Sequence, residues 1–539
     1  MTDSTLPINI GYWLLAFSPI VLLLVLLAVL RWKAPEAGPV GMLLAAVVAL
    51  VFFRTPFETL AVGVGKGIWD AVFILLVIWP ALLLYRVGTA AGAFDALRRG
   101  LSRYSRNHVF LVLGFGWVFA SFMQGIAGFG APIAIVAPLL LAVGVRPVYA
   151  VAIPLIGHAW ANMFGTLAVG WIATLQVVDL DDEISTALIT AVLLAPVTLM
   201  AGVTIAWMAG KGRGVRVAWP LILIISALHA GLQFVIMYWE PLLSAFLAST
   251  VALAALYPLS RWSRYREPAR DVRERPAMRD DAGEGDEAES EPTMGLGWAL
   301  LPYAVLTLVA VVTLAVPPVV DLLDQIEFGP PFPGADTGFD VVNEGERPYS
   351  PIAPFTHPGF PLAVAVLTTW LVYRARGFYA ARRRQEGSQP IWSSLATDAT
   401  PASVAILSFL VLAAVMEHSG QTDVLAQGLE QVSPPLVYAF LANVVGLIGA
   451  FMTSSNTASN VLFAQLQQGV AAGTGLSGNA VVAAQSAGGA IGNAVAPANI
   501  VLGTGTAGIV GQEGAVLRKT LPWTVAAAVV IGLLTLLFV

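Results

Sequence analysis

Runs of apolar residues long enough to cross a lipid bilayer recur along this chain, and nothing else in it constrains the fold as much. A membrane-spanning helix needs roughly 17–25 apolar residues. Runs of that size lie near 11–30, 38–54, 67–86, 184–209, 218–238, 241–260, 297–320, 359–377, 399–416 and 520–538. Two longer runs, 148–178 and 479–510, are interrupted by glycines, which brings the candidate crossings to 12. In lipid every backbone N–H and C=O must be bonded within the protein, so such runs fold as helices. Only 11% of the 539 residues are charged and 57% are hydrophobic. The expected fold class is an all-α polytopic membrane protein of about 12 transmembrane helices.

Two further segments, 107–145 and 433–476, are apolar but broken at their middles by small residues. Charge decides whether they cross, because cytoplasmic loops carry the excess of Lys and Arg. Basic clusters stand at Arg31/Lys33, Arg86 to Arg106, Arg146, Lys211 to Arg216, Arg261 to Arg279, Arg374 to Arg384 and Arg518/Lys519. If the 12 runs cross and both broken segments return to their starting side, 25 of the 28 basic residues are cytoplasmic. Only Arg54, Lys66 and Arg347 are left outside. The broken segments therefore read as two re-entrant hairpins, the first entering from the cytoplasm and the second from outside. Hairpins meeting from opposite faces are the product of an inverted repeat. Met123 and Met452 lead the two tips, and Ala150-Val151 and Ala480-Val481 follow each by about 27 residues.

The domain reading follows. Residues 1–240 form the first membrane half, with hairpin 107–145 and broken helix 148–178. A linking helix and a charged loop, 241–296, come next, and the loop 261–296 reads as disordered and cytoplasmic. Residues 297–539 form the second half, with an acidic, partly ordered outer loop 321–358, hairpin 433–476 and broken helix 479–510. Both termini fall outside, on the periplasmic side of an inner (plasma) membrane. The N-terminal run reads as a retained span, since no basic n-region or small-residue cleavage site flanks it. With no Cys and five scattered His, neither a disulfide framework nor a metal or nucleophile cluster is expected, and so no enzyme and no cofactor. No nucleic-acid module is visible, and a sensor would need a soluble output domain.

Chemistry is expected at the hairpin tips. Around the first, Gln124, Gly125, Gly128 and Gly130 allow close backbone approach, and Pro132 is suited to start the returning helix. Amides at a helix start favour an anion. The second tip offers Ser454, Ser455, Asn456, Thr457, Ser459 and Asn460, whose hydroxyls and amides donate to a carboxylate or present oxygens to Na+. The alternative for both is helix packing through small residues and interhelical hydrogen bonds. The long crossings carry polar breaks, His158 and Asn162 in one, Gln485, Ser486 and Asn493 in the other, and unwound helix there would close a midplane site. His158 is either a proton carrier or a hydrogen-bonded buried histidine. Lys66 and Asp70, four residues apart, share a helix face and are candidates for coupling or for an interfacial pair. Glu417, His418 and Asp423 are expected to be solvated at an outer boundary.

These residues resemble the L-lactate permease family. The resemblance is clearest at Leu84-Tyr85-Arg86 with Gly92-Ala93-Phe94-Asp95, at Gly125 to Ile135, and from Met452 to Val510. The Ser455-Asn456-Thr457 triplet is also similar to the hairpin-tip motif of divalent anion:sodium symporters within the broader ion-transporter superfamily. The family carries lactate and glycolate with protons. The resemblance therefore implies a symporter of a small organic anion, L-lactate or a related 2-hydroxy monocarboxylate, driven by H+ or Na+. It also implies an elevator-type mechanism, and analogy suggests a homodimer. The family pattern commonly has Glu at position 124, Asp at 456, Asn at 158 and Lys at 493, where this chain has Gln124, Asn456, His158 and Asn493. Neutral groups thus stand where relatives carry charge, which opens Na+ coupling through Asn456 beside proton coupling. A cation/proton antiporter of the same architecture is the alternative, and it would need a titratable acid at the tips.

Overall fold

Polar residues start the helices where the apolar runs begin. Asn9 caps the first by accepting from the N–H groups of Gly11 and Tyr12. Asn107, Asp182, Glu240, Ser455 and Ser477 do the same for later helices. The computed structural model describes residues 5–102, 105–269, 272, 274–279, 294–386 and 390–539. Ten helices in it are long and apolar enough to cross a membrane, or up to eleven if one bent pair counts as a single span. The stretch Glu183–Ser226 is in fact two antiparallel helices, folded back where Lys211 adopts φ +52°. A Cβ on Gly202 would meet Ile222, and one on Gly214 would meet the Ala206 carbonyl, so the two arms run past each other. The runs near 184–209 and 218–238 are therefore separate helices joined by this tight turn.

Both broken segments are helical hairpins. In the second, Pro435–Thr453 and Asn456–Thr474 are joined at Ser454, which takes φ +57°. Ser459 Oγ donates to the Gly446 carbonyl at 2.7 Å, Gln467 Nε2 to Ala442 at 3.0 Å, and Tyr438 OH to Gln467 Oε1 at 2.7 Å. As one partner rises in number the other falls, which is antiparallel pairing about residue 454. The first hairpin ascends through His108–Leu113, a π-helical turn Gly114–Phe119 and Ala120–Ile126, then returns as Ala131–Ala142. Pro132 stands in the first turn of the returning arm, as its fixed φ favours. The ascending arm is 94% buried, against 33% for the first two spans, so protein rather than lipid encloses it. Irregular backbone at membrane depth is tolerated only under such cover.

Each hairpin is followed by a broken helix. The first comprises Pro147–Gly157, a 3-10 turn Ala159–Ala161 and Gly165–Leu175, with a 56° bend. Thr166, Leu167 and Ala168 form one left-handed turn, with φ between +50° and +60°. The second comprises Gly478–Gly492 and Pro497–Thr506. Its helix runs unbroken through Gln485 to Gly489, so the expected unwinding there does not occur. Small residues at 485–489 serve close packing instead: a Cβ on Gly488 would lie 1.8 Å from the Asn443 carbonyl. The break falls at 493–496, where Pro497 forbids helical continuity.

Two loops are more ordered than their composition suggests. Within the described part of 261–296, Ser263–Arg266 is a helical turn, and Tyr265 and Val272 are fully buried. Arg146 N–H donates to the Ala277 carbonyl and Arg279 N–H to that of Gly144. The expectation of disorder thus fails for this part, because a few apolar residues among the charges pin it under the first hairpin. Residues 280–293 lie outside the described residues. The outer loop contains a small antiparallel ribbon, Ala335–Asp336 paired with Val342–Asn343. Thr59 Oγ1 donates to its Asp336 carbonyl and Trp69 Nε1 to the Ser350 carbonyl, which ties the loop to the helix Phe57–Ala91.

Candidate functional site

The two hairpin tips and the two helix breaks meet at one small cavity of about 60 Å³. The first tip supplies Gln124, Gly128, Phe129, Gly130 and Ile133. His158, Asn162, Gly165, Thr166, Val169 and Gly170 come from the first break, Ser454 to Thr457 from the second tip, and Asn493 and Asn499 from the second break. No Asp, Glu, Lys or Arg lines the cavity among the described residues. Its polarity comes from amides, hydroxyls and one imidazole.

The parts are held in place by bonds across elements. Gly128 N–H donates to Thr166 Oγ1 at 2.7 Å, joining the first tip to the left-handed turn. The approach requires glycines: a Cβ on Gly128 would lie 2.6 Å from that oxygen, and one on Gly165 would lie 2.7 Å from the Gln124 carbonyl. Asn162 Nδ2 donates to the Ala490 carbonyl at 2.8 Å, which bridges the two broken helices. Ser454 Oγ accepts from Ala498 N–H at 3.2 Å, and Ser455 Oγ caps the returning arm through Ala458 N–H. Asn456 Nδ2 contacts Met163 Sδ at 3.3 Å, while its Oδ1 is buried without a donor. Asn493 Oδ1 is in the same condition.

Four lining groups are left for a ligand. Gln124, Thr457 and Asn493 make no side-chain hydrogen bond among the described residues. His158 Nδ1 faces the Pro154 carbonyl, which can only accept, so this nitrogen carries the proton and Nε2 is the acceptor in the neutral ring. Helices also begin at the cavity: Ala131 after the Gly130 cap, Asn456 after Ser455, and Pro497 after the second break. Helix starts present partial positive charge, so the cavity suits an anion although it has no fixed cation. By the measure at which one water needs ~10–15 Å³, the space holds a molecule of only a few heavy atoms.

Ten of the residues singled out from sequence line this cavity: Gln124, Gly128, Gly130, His158, Asn162, Ser454, Ser455, Asn456, Thr457 and Asn493. Five do not. Gly125 packs on the helix Pro241–Arg261, where its Cβ would meet Phe246 and Ser249. Ser459 and Gln485 bind each other, and Gln485 also accepts from Gln467 at 3.1 Å. Asn460 donates to Thr174 Oγ1 at 2.9 Å and to Ser486 Oγ at 3.4 Å. This layer behind the cavity joins helices in the way the alternative reading anticipated. Lys66 and Asp70 lie elsewhere and form no ion pair with each other. Lys66 Nζ pairs with Glu346 Oε1 at 2.8 Å, and Asp70 Oδ2 accepts from Tyr349 OH at 3.0 Å, both in the outer loop. Glu417 and Asp423 are exposed as expected, but His418 is buried, its Nδ1 against the Ala414 carbonyl. Sequence reasoning passed over Thr166 and Asn499, although Thr166 follows the Gly that closes the first break and Asn499 follows Pro497.

The family model described as L-lactate permease matches residues 13–334 and 351–539. An L-lactate permease of Halalkalibacterium halodurans is 27% identical over 96% of this chain and 95% of its own length. The glycolate permease GlcA of Escherichia coli K12 is 26% identical over 97% of this chain and 95% of its own. Among solved structures, the YdaH transporter of Alcanivorax borkumensis is similar over 89% of this chain and 87% of that one, with 15% identity and a TM-score of 0.45.

Proposed function

The chain belongs to the L-lactate permease family, and from that premise we propose a symporter that carries L-lactate or a related 2-hydroxy monocarboxylate. It is a membrane transporter of small organic anions and not an enzyme. The observation that carries the finer reading is the convergence of two tips and two breaks on one small cavity with neutral donors and helix starts. A carboxylate there would be held by Gln124 and Thr457, with His158 Nε2 accepting from the substrate's 2-hydroxyl, Ser454, Ser455 and Asn456 shaping the second tip, and Asn162 and Asn493 the breaks. Gly128 and Gly130 bring backbone N–H groups close. Small size and donor polarity favour a hydroxy acid of two or three carbons over a bulky anion.

The same reading assigns 12 crossings and two hairpins in inverted repeats, with both termini periplasmic in the inner membrane. Transport then follows an elevator movement of the hairpins and broken helices, in a homodimer, with H+ or Na+ as the driving ion. An antiporter exchanging cations for protons finds no carboxylate at the cavity, so nothing there favours it. The test is uptake by purified protein in proteoliposomes, with imposed H+ or Na+ gradients and a panel of carboxylates. Accumulation of a 2-hydroxy monocarboxylate under one of the gradients is expected. If no carboxylate accumulates under either, the proposal is wrong.

A further inference from the structure

Ser226, His229 and Gln233 lie above one another on one helix face, at the π-helical turn Ala227–Gly231. His229 is fully buried, and neither of its ring nitrogens has a hydrogen-bond partner among the described residues. Ser226 Oγ and Gln233 Nε2 are buried and unpartnered as well. The His229 ring stacks on Trp160, with centroids 4.5 Å apart and planes at 26°. It meets Trp117 nearly at right angles at 5.5 Å, and Trp117 Nε1 is another buried donor without a partner. Buried polar atoms are almost always paired, so a group of them around one imidazole marks a place where protons or water are handled. Packing alone would be served as well by a phenylalanine. π-Helical turns also tend to be retained at functional positions.

This cluster adjoins the transport cavity. Trp160 lies in the first helix break, between His158 and Asn162, which both line the cavity. Its Nε1 donates to Ser121 Oγ at 2.9 Å, and Ser121 Oγ donates to the Gly157 carbonyl at 3.1 Å. The indole is thereby fixed within the break, two residues from each of His158 and Asn162, with His229 stacked on its face. An aromatic face stabilises a cation stacked on it. The cavity itself has no fixed positive charge among the described residues. The helix starts hold an entering anion, and a proton gained nearby adds to their attraction. In the neutral His158 ring Nδ1 donates to the Pro154 carbonyl and Nε2 serves the cavity, whereas both His229 nitrogens are free to take part.

We propose that His229 is the proton-carrying residue that couples transport at this cavity. The inference rests on the transporter reading above. One proton passes from water on one face of the membrane to the imidazole, which then carries +1 while the carboxylate in the cavity carries −1. The loaded hairpins and broken helices then move past this helix, and the proton is returned to water on the other face. The titratable groups on the packed elements are Glu183, Lys211, Arg213 and Arg216 on the stretch Glu183–Ser226, and Glu240, Tyr257 and Arg261 on the next helix. His158 flanks the turn that holds Trp160, while Gly114–Phe119 and Leu232–Met237 have none. The charged groups stand at helix ends or at the fold-back, which leaves His229 as the group within this layer able to gain and lose charge.

The test compares two modes of transport of radiolabelled L-lactate or glycolate in proteoliposomes. His229→Gln should lower accumulation driven by a pH gradient about ten-fold or more, while carboxylate exchange at equal pH stays within about two-fold. The lactate-induced alkalinisation of the medium should disappear with it. Should His229→Gln fail to fold, Ser226→Ala with Gln233→Leu keeps the imidazole and removes its polar company, and the same split is expected. Full pH-driven accumulation in a folded variant overturns the proposal, as does a parallel loss of accumulation and exchange. Absence of exchange by the unsubstituted protein overturns the transporter reading, and this inference with it.

Discussion

Gly489→Ala tests the central geometry most directly. A Cβ at Gly489 would lie 2.1 Å from Asn456 Oδ1 and 3.5 Å from Ser459 Oγ, where ordinary contact begins near 3.4 Å. Either the Asn456 amide or the whole helix Gly478–Gly492 must withdraw by more than about 1 Å. The amide is engaged by Met163 Sδ, and the helix already presses its backbone on the second hairpin at Gly488 and Asn443. Overpacking of this kind costs ~1–3 kcal/mol. If the loaded site bears that cost, at ~1.4 kcal/mol per ten-fold the KM for carboxylate exchange rises about five- to a hundred-fold. Exchange kinetics in proteoliposomes measure it, with thermal unfolding in detergent as a check on folding. Gly505→Ala is the control: nothing lies within 4 Å of its Cβ, so KM should hold and stability should gain about 0.5 kcal/mol. An unchanged KM and melting temperature in Gly489→Ala would refute the close approach of Asn456 to the second broken helix.

Other consequences are as open to measurement. Asn456→Asp places a titratable acid at the second tip, so uptake should become more dependent on the pH gradient and less on Na+; an active variant with unchanged ion dependence would exclude Asn456 from coupling. Glu346→Gln leaves Lys66 without its partner, but Glu346 is 49% exposed, so solvent screening limits the loss to about 1 kcal/mol. Its exchange KM should not move, since the pair lies away from the cavity. Burial raises the carboxyl pKa of Glu240 to about 7, opposed by the Leu242 N–H that it accepts. A raised folded-state value means this group stabilises the fold below its ordinary 4.5 and loses that contribution as pH climbs to about 7. Glu240→Gln should therefore flatten the pH dependence of thermal stability in that window.

The helix plan was readable from the chain because apolar length and Pro, Gly and Asn punctuation are local signals. The hairpins were proposed because two midsections were too polar for lipid, and the helices on either side of residue 454 do pair antiparallel. Ten cavity residues followed from the same logic. What sequence did not resolve was direction around a helix. Ser459, Gln485 and Ser486 belong to the same polar set as Ser455 and Asn456, yet they point toward a neighbouring helix rather than the cavity. Small polar residues satisfy a substrate and a neighbouring helix equally well, so composition cannot separate the two. Lys66 and Asp70 were misread for a related reason. Their spacing is correct for a pair, but the groups that claim them, Glu346 and Tyr349, lie some 280 residues away. His229 was missed because a single histidine in an apolar run carries no pattern, and its meaning depends on two tryptophans brought to it by the fold.

The outer ribbon has a mechanical consequence. Ser350 is bound on two sides at once: its carbonyl accepts from Trp69 Nε1 at 2.9 Å, and its hydroxyl donates to Gln176 Oε1 at 3.0 Å. Trp69 belongs to the long helix Phe57–Ala91, and Gln176 ends the first broken helix. Sliding one past the other by a helical turn, about 5.4 Å, cannot occur with both bonds intact. If these parts slide as proposed, the serine would act as a detent, holding one axial position until a definite load releases it. It sits at the end of the stretch 335–350, between the two regions that match the family. Such a latch would belong to a segment outside the two matched regions, and could differ between this chain and its relatives without touching the cavity.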